Sequence, residues 1–569
     1  MYSKLIRIQS FTRSNLEILL KRMSEYCNAD SELVEKFTLA EAMGDETNLD
    51  ELLSEDPQNV LHFLHVVKNS EPYKNLVKSF TTRHIVEEGI GRVFAGFEKK
   101  YEAKANADLI DALVWGHDVF RSADDEEFLV SSSDIEYLNF WDRGESYRDR
   151  TRAVGKTEPL REETVDFFTK RGTTPFQLQT CNGVHVNFLI RKGSEAYDLL
   201  VANGHPENSL CIKDKYGIGR YANPPLDSEG LWKPITIKDG YAWSALGMWQ
   251  EWHNILAIQA VNARRAIDPT ILPVVVNGVT PGVSNHEDAR GPLEAVCQDW
   301  SIYTDPIYQR GNRMPGSTHQ KLLMGAEWMG GEDFAKNTPT RIMLSRTIPF
   351  LTMMETQQNA RLAVDHLNNY DCRMPDLSEQ FVDWWHEYEQ SSLAAFHRWF
   401  YSVPTPNAQE RQGLLDDFYS DFPCISHIKE DLHNQLKDGT QQQHLVRFLL
   451  AWGMHPKIAG SIMSAMFERN PEVWSNSHTY NWYQGYDPTT RGISLTRQYA
   501  GLIFSDADGL LDFNCQTHKE RTEYDPSSRR CPSYAYDVNC TKNLEEVKNQ
   551  LITRVEEFHD EVKSGKWSG

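Results

Sequence analysis

No run of apolar residues in this sequence approaches the roughly 20 needed to span a bilayer, and the opening MYSKLIRIQSFTRS holds no apolar stretch long enough for a signal peptide. A cytoplasmic protein is therefore expected, without a membrane partner. Cysteine is sparse: nine residues in 569, an odd number spread along the chain, which fits reduced thiols and not a disulfide framework. The Asn539-Cys540-Thr541 sequon is then expected to be unused. Positive charge is in deficit, with 59 Lys+Arg against 81 Asp+Glu and a net charge of -22. That balance repels phosphate backbones and anionic membranes at long range, so tight nucleic-acid binding would need a local basic patch. The cations near the start, Lys4, Arg7, Arg13, Lys21 and Arg22, are interrupted by Glu17 and Glu25 and read as an ordinary solvated helix face. Internal repeats and low-complexity tracts are missing, as are G-x-S-x-G, H-E-x-x-H and G-x-G-x-x-G.

Material for a core is plentiful. Hydrophobic residues make up 40% and charged residues 25%, with 15 Trp, 23 Tyr and 25 Phe, so global disorder is excluded. At 569 residues the chain must divide into two or three cores or build one unusually large one. Periodicity suggests an α+β protein, predominantly α-helical, in four regions. Residues 1–170 read as successive helices, with Ser14 capping the first and residues 44–58 as a connecting loop. Residues 171–317 are expected to be α+β with antiparallel hairpins. There PFQLQTCNGVHVNFLI alternates on both sides of Asn182-Gly183, the dipeptide that supplies the positive φ a tight turn needs. SLCIKDKYGIGRYA and LWKPITIKDGYAW suggest two further strand pairs, SALGMWQEWHNILAIQAVNARRAI a long helix, and ILPVVVNGV a buried strand. Residues 318–470 carry helical apolar stripes in a bundle-like array, including LSEQFVDWWHEYEQSSLAAFHRWF as one long helix. Residues 471–569 combine an irregular aromatic segment with a last amphipathic helix, LEEVKNQLITRVEEFHDEV.

Several constellations suggest chemistry. Gly155-Lys156-Thr157 is similar to the end of a phosphate-binding loop, but Arg150 stands where that motif begins with glycine. LIFSDADGLLDF resembles the first motif of haloacid-dehalogenase-type phosphotransferases, which implies a strand ending in a nucleophilic Asp506 and a proton-handling Asp508. Only 56 residues follow that stretch, too few for the rest of such a fold, so a polar turn after a short strand is expected. Cys515, His518, Cys531 and Cys540 are four soft ligands within 26 residues that could hold a structural zinc ion. Asp416, Asp417 and Asp421, read as lying on one helix, loosely resemble the aspartate-rich helix of class I terpene synthases; the second metal motif of that family does not follow. Glu430 with His433, Glu556 with His559, Asp383 with His386, and His62 with His65 have helical spacing that could bring two ligands to one face.

Three functions follow as expectations. The first is a structural self-assembling protein, a capsid or shell subunit whose partners are copies of itself. Its Trp, Tyr, Met and Arg would serve extensive interfaces. If it is a capsid, the lack of a basic arm points to loosely held nucleic acid, double-stranded RNA by analogy, and to a location in the virion. The second is a Mg- or Zn-dependent enzyme whose site gathers dispersed groups such as His62, His65, His386, His433, Asp416, Asp417 and Asp421. The third is a binding module that uses Trp474, Tyr480, Trp482, Tyr483 and Tyr486 as an aromatic platform. Interface packing between copies is the preferred role for those five residues.

Overall fold

The computed structural model describes residues 120–121, 128–139, 150–180, 183–205, 237–276, 294–300, 311–312, 343–344, 374–418, 423–432, 436, 439–469, 488–507 and 544–566. In chain order the elements are β1 (Phe120–Arg121), β2 (Phe128–Asn139), α1 (Arg150–Thr169), β3 (Phe176–Gln179), β4 (Gly183–Arg191), α2 (Glu195–Asn203), α3 (Ile237–Ile267), β5 (Val274–Val276), β6 (Glu294–Asp299), β7 (Gly311–Asn312) and β8 (Met343–Leu344). Helices alone follow: α4 (Ser378–Glu389), α5 (Ser392–Tyr401), α6 (Ala408–Asp417), α7 (Pro423–Glu430), α8 (Gly439–Ala451), α9 (Pro456–Arg469), α10 (Pro488–Phe504) and α11 (Leu544–Lys563). The protein is α+β and predominantly helical. No described helix is long and apolar enough to cross a membrane.

Six strands form one sheet in the order β5-β6-β2-β4-β3-β8, and β1 pairs separately with β7. The hairpin expected around Asn182-Gly183 is present: β3 and β4 run antiparallel with Gln179 opposite Val184, and the Thr180 amide donates to the Gly183 carbonyl at 2.8 Å. Glycine is needed at 183 for a second reason. A Cβ there would strike the Ile135 carbonyl oxygen and lie 3.1 Å from the Glu136 Cα, both backbone of β2. The sheet is mixed and not purely antiparallel, because β5 runs parallel to β6. Past the end of β3, residues 375–377 continue that edge of β4: the Leu189 amide donates to the Pro375 carbonyl, and the Leu377 amide to the Leu189 carbonyl, both at 2.9 Å.

The central strand β2 lies inside the region read as all-helical. Its polar run Ser131-Ser132-Ser133-Asp134 is buried, which hydrophobic periodicity cannot foresee. Register places Ser131, Ser133, Ile135 and Tyr137 on one face, and there α3 answers the hydroxyls. Gln250 Nε2 donates to Ser131 Oγ at 2.8 Å, and Ser133 Oγ donates to Asn254 Oδ1 at 3.0 Å. Buried polar groups are tolerated when paired in this way.

Helix α3 begins at Ile237, so the IKDGYAW stretch read as part of a strand pair is helical. It is buried on every side between Trp243 and Ile258 except at Leu256, as expected of a helix running through a core. One side meets the sheet. Another carries Trp249, Trp252 and His253 into an aromatic cluster with Phe167, Phe168, Phe188, Phe381 and Trp384, in which Phe167 sits edge-on to Trp249, Trp252 and Trp384 at 5.6–5.8 Å. Such pairs each add about 0.5–1.5 kcal/mol beyond area burial. A third side carries Glu251.

The stretch LSEQFVDWWHEYEQSSLAAFHRWF, read as one helix, is two. It breaks at Gln390-Ser391, where the Ser391 hydroxyl accepts from the Ala394 amide at 3.1 Å and starts α5. Region 471–569 is less irregular than expected, since it contains the 17-residue α10. Helices α9 and α10 cross at backbone contact. A Cβ on Gly492 would fall 2.7 Å from the Ser464 amide nitrogen and 2.9 Å from the Gly460 carbonyl oxygen, and one on Gly460 would fall 2.9 Å from the Ile493 Cα. Gly492→Ala is therefore expected to cost about 1–3 kcal/mol or more in urea unfolding. Gly413→Ala, in an exposed turn of α6 with open space around it, is the control and should gain up to about 1 kcal/mol. Equal effects of the two substitutions would show that the crossing is not tight.

Helix α10 ends in a Schellman turn: the Asp506 amide donates to the Ile503 carbonyl and the Ala507 amide to the Leu502 carbonyl, with Asp506 at φ 56°. Residues 502–507 of the LIFSDADGLLDF stretch are thus a helix end, not the strand that its resemblance to a phosphotransferase motif implied. Asp506 pairs instead with Lys548 at 3.1 Å, mostly in solvent, and that pair contributes about 0–1 kcal/mol. Its left-handed backbone predicts a stability order of Gly at least equal to Asp, with Asp506→Ala about 1 kcal/mol below, by thermal or urea unfolding.

Candidate functional site

The densest group of ionisable side chains in the described body lies where α3, α4, α5 and α10 meet. Each helix brings one or two polar groups on an otherwise apolar face: Glu251 from α3, Tyr388 from α4, His397 and Tyr401 from α5, and Arg497 from α10. The tight α9–α10 crossing sets the height of Arg497, one residue beyond Thr496, whose side chain faces Gly460.

Glu251 and Arg497 are each 1% exposed. Arg497 Nε donates to Glu251 Oε1 at 3.1 Å, its Nη2 donates to the same oxygen, and its Nη1 donates to the Tyr401 hydroxyl oxygen. His397 Nε2 lies 3.0 Å from Glu251 Oε2, and its Nδ1 lies 2.7 Å from the Tyr388 hydroxyl. One tautomer satisfies both contacts: Nε2–H donates to the carboxylate and Nδ1 accepts from the phenol. Burial pushes the His397 imidazole below its ordinary value despite the pull of Glu251, so the ring is neutral at pH 7. Burial would raise Glu251, but the charge of Arg497 and the hydrogen bonds from His397 and Arg497 outweigh it and hold the carboxyl below the usual range. Burial would likewise lower Arg497, and Glu251 with Tyr401 more than reverses this. Burial next to Glu251 pushes Tyr388 well above the ordinary phenol value. The result is one buried ion pair locked by a neutral histidine and two tyrosine hydroxyls. Chemically it can fix four helices in one arrangement. A reacting molecule could touch it only after those helices part.

The edge of the site is cationic. Lys457, buried at the start of α9, places Nζ 5.1 Å from the Tyr401 ring centroid, and the Arg497 guanidinium lies 5.8 Å from it. His205, just past α2, stacks on the same ring at 3.5 Å and 5°. Nearby, His455 Nδ1 accepts from the Lys457 amide at 3.2 Å, and its Nε2 lies 3.2 Å from the Trp399 carbonyl oxygen.

A second buried polar row crosses the opposite face of the sheet. Ser132 Oγ donates to Asn187 Oδ1 at 2.5 Å, and His185 Nε2 lies 3.3 Å from Asp134 Oδ1.

The residues singled out from sequence are not brought together where they are described. His386 pairs with Glu389 on its own helix at 3.0 Å, and Asp383 is exposed on α4. Asp416 pairs with Arg469 of α9 at 2.5 Å, and Asp417 ends α6. The helix carries Asp416 and Asp417 and ends there, short of the one-helix reading of three aspartates, while Asp421 lies outside the described residues. His559 Nε2 sits 3.3 Å from the Ala395 carbonyl oxygen while Glu556 is exposed, so the two do not act as a ligand pair. Gly155-Lys156-Thr157 lies inside α1, where the buried Thr157 hydroxyl donates to the Val154 carbonyl at 2.9 Å and cannot serve a phosphate loop. Among the described residues, no group of three His, Cys, Asp or Glu side chains could hold a metal ion. Cys515, His518, Cys531 and Cys540 lie outside the described residues, as do Trp474, Tyr480, Trp482, Tyr483 and Tyr486, together with His62, His65, His433 and Asp508.

Sequence reasoning missed the Glu251–Arg497 network. The available signal was a lone charge inside an apolar helical run, as in GMWQEWHNILAI and SLTRQYAGLIF. No protein-family model, curated protein or solved structure matches this chain.

Proposed function

We propose that this chain is a structural protein that assembles with copies of itself into a shell or similar closed array, a capsid that holds double-stranded RNA loosely being the preferred form. The observation that carries this reading is the contrast between interior and surface. Inside, the strongest charges are consumed in joining helices. Outside, large apolar side chains stand on anchored helix ends: Trp452 is 49% exposed and Ile267 88% exposed. Trp452 is held in place, because Phe448 packs against it at 5.0 Å and the carbonyl of the next residue, Gly453, accepts from Arg554 of α11 at 2.7 Å. Rigid exposed tryptophans are characteristic energetic anchors of protein interfaces. The net charge of -22 suits a container without tight genome condensation.

Light scattering on a sizing column and negative-stain imaging test the proposal. The expected result is a particle of many chains. Trp452→Ala should weaken assembly at least tenfold while the circular dichroism of the subunit is unchanged, in line with the roughly 2 kcal/mol of an interface hot spot. A monodisperse monomer at low micromolar concentration overturns the reading.

A further inference from the structure

His205 occupies an unusual position. Gly204 lodges the chain against α3 so closely that a Cβ there would strike the Tyr241 backbone, and the Ser244 hydroxyl accepts from the His205 amide at 3.1 Å. From this anchorage on α3 the imidazole reaches across to α5 and lies flat on Tyr401, 3.5 Å between centroids and 5° from parallel. The Tyr401 ring is a junction. Lys457 of α9 lies 5.1 Å from it, Arg497 of α10 lies 5.8 Å from it, and its hydroxyl accepts from Arg497. The side chain of His205 thus joins the sheet-bearing part of the molecule, through α2 and α3, to the C-terminal helices.

We propose that the His205–Tyr401 stack is an acid-released clasp that holds the end of α2 against the α5–α9–α10 cluster. The charged and titratable groups around the ring decide this. Lys457 on α9 and Arg497 on α10 are cations, and His397 on α5 is a neutral imidazole already placed between Tyr388 and Glu251. Glu251 on α3 is the carboxylate of the junction, and Arg497 and His397 occupy both of its oxygens. A proton on the part-buried His205 would add a third positive charge beside Lys457 and Arg497, and both repel it while the ring lies stacked on Tyr401. Release moves that charge away from the two cations and hydrates it fully. Burial, with Lys457, Arg497 and His397 beside it, accordingly pushes His205 down to about 3 from an ordinary 6.5. Linkage then makes opening of the clasp about tenfold more favourable for each pH unit below about 6.5, until the folded value is reached.

Hydrogen exchange of the full chain, with peptides resolved by mass spectrometry and corrected for the intrinsic pH dependence of exchange, tests this. Peptides spanning 199–205 and 398–402 should lose protection about tenfold per unit between pH 6.5 and 4.5, ahead of peptides from β4. His205→Phe retains an aromatic stack but cannot take up a proton, so the same peptides should stay protected to lower pH. If that variant does not fold, Lys457→Met, which removes one of the two cations, should move release to lower pH. Loss of protection at the same pH in wild type and in whichever variant folds overturns the proposal. So does wild-type protection of 199–205 that persists until β4 itself exchanges.

Discussion

Arg497→Met is expected to destabilise the protein by about 3–5 kcal/mol in urea or guanidinium unfolding at pH 7. The cost arises mostly from what is left behind. Glu251, 1% exposed, would keep a charge in a low-dielectric site with only the His397 N–H to meet it, and the Tyr401 hydroxyl oxygen would lose its donor. Glu251→Gln alone should cost a similar amount, by leaving a guanidinium buried without its counter-ion. The double variant Glu251→Gln/Arg497→Met removes both charges at little change in volume. Its cost should fall short of the sum of the two by at least about 2 kcal/mol, because paired buried charges replaced together do not leave an orphan. Additive costs in this cycle, or a single-variant cost below about 1 kcal/mol, would mean that the pair is not coupled as drawn.

The same pair shows what the sequence could not reveal. Glu251 and Arg497 stand 246 positions apart, and His397, Tyr388 and Tyr401 come from two further helices. Apart from His397 and Tyr401, one turn apart on α5, no local spacing relates them. Elements whose signal is local were legible: the β3–β4 hairpin follows from alternation around Asn182-Gly183, and the body of α3, α9 and α11 from apolar residues at helical spacing. The failures share a physical cause. Strand β2 contains Ser131-Ser132-Ser133-Asp134, which resembles a loop until Gln250 and Asn254 supply partners from across the core. The break between α4 and α5 depends on one hydroxyl, that of Ser391, taking the place of a helical carbonyl. Tertiary satisfaction of polar groups overrode pattern in both places.

Charge pairs that look alike in sequence also separate by burial. Arg469 with Asp416 and Arg171 with Glu387 are joined at 2.5 Å, yet they lie at the surface, where such pairs contribute about 0–1 kcal/mol. Glu251 and Arg497 are each 1% exposed, so solvent screens their charges little. Metal-ligand pairs inferred from i,i+3 spacing, such as Asp383/His386 and Glu556/His559, meet a related limit. Helical spacing brings two groups to one face but does not say whether that face is turned inward, and Asp383 and Glu556 are exposed. Interior polar chemistry here arises from residues on four different helices converging, with only His397 and Tyr401 sharing one.

Acid should unfold this protein well before its carboxylates are titrated. His253 is buried against Trp249 with its Nε2 3.1 Å from the Thr164 carbonyl oxygen, and burial, opposed by that bond and assisted by Arg171, pushes it down to about 4. His455 is pushed down to about 4 by burial, against its bond to Trp399 and with the help of Arg554 and Lys457. Both are neutral when folded, and each takes up a proton near pH 6.5 when unfolded. Their stabilising contribution is therefore complete above about 6.5 and is lost as pH falls toward 4. Each loses about 1.4 kcal/mol per pH unit, roughly 3.4 kcal/mol by pH 4. A loss near 7 kcal/mol from the two is comparable with the roughly 5–15 kcal/mol total of an ordinary domain. Protonation of Nδ1 on His455 would also remove the acceptor that caps the Lys457 amide of α9. Urea unfolding from pH 7 to 4.5 should show stability falling by at least about 2.5 kcal/mol per unit below pH 6. His253→Gln and His455→Gln should each reduce that slope by about 1.4 kcal/mol per unit, whatever they cost at pH 7. Stability that is level between pH 7 and 5 would mean that these imidazoles are not held neutral by the core.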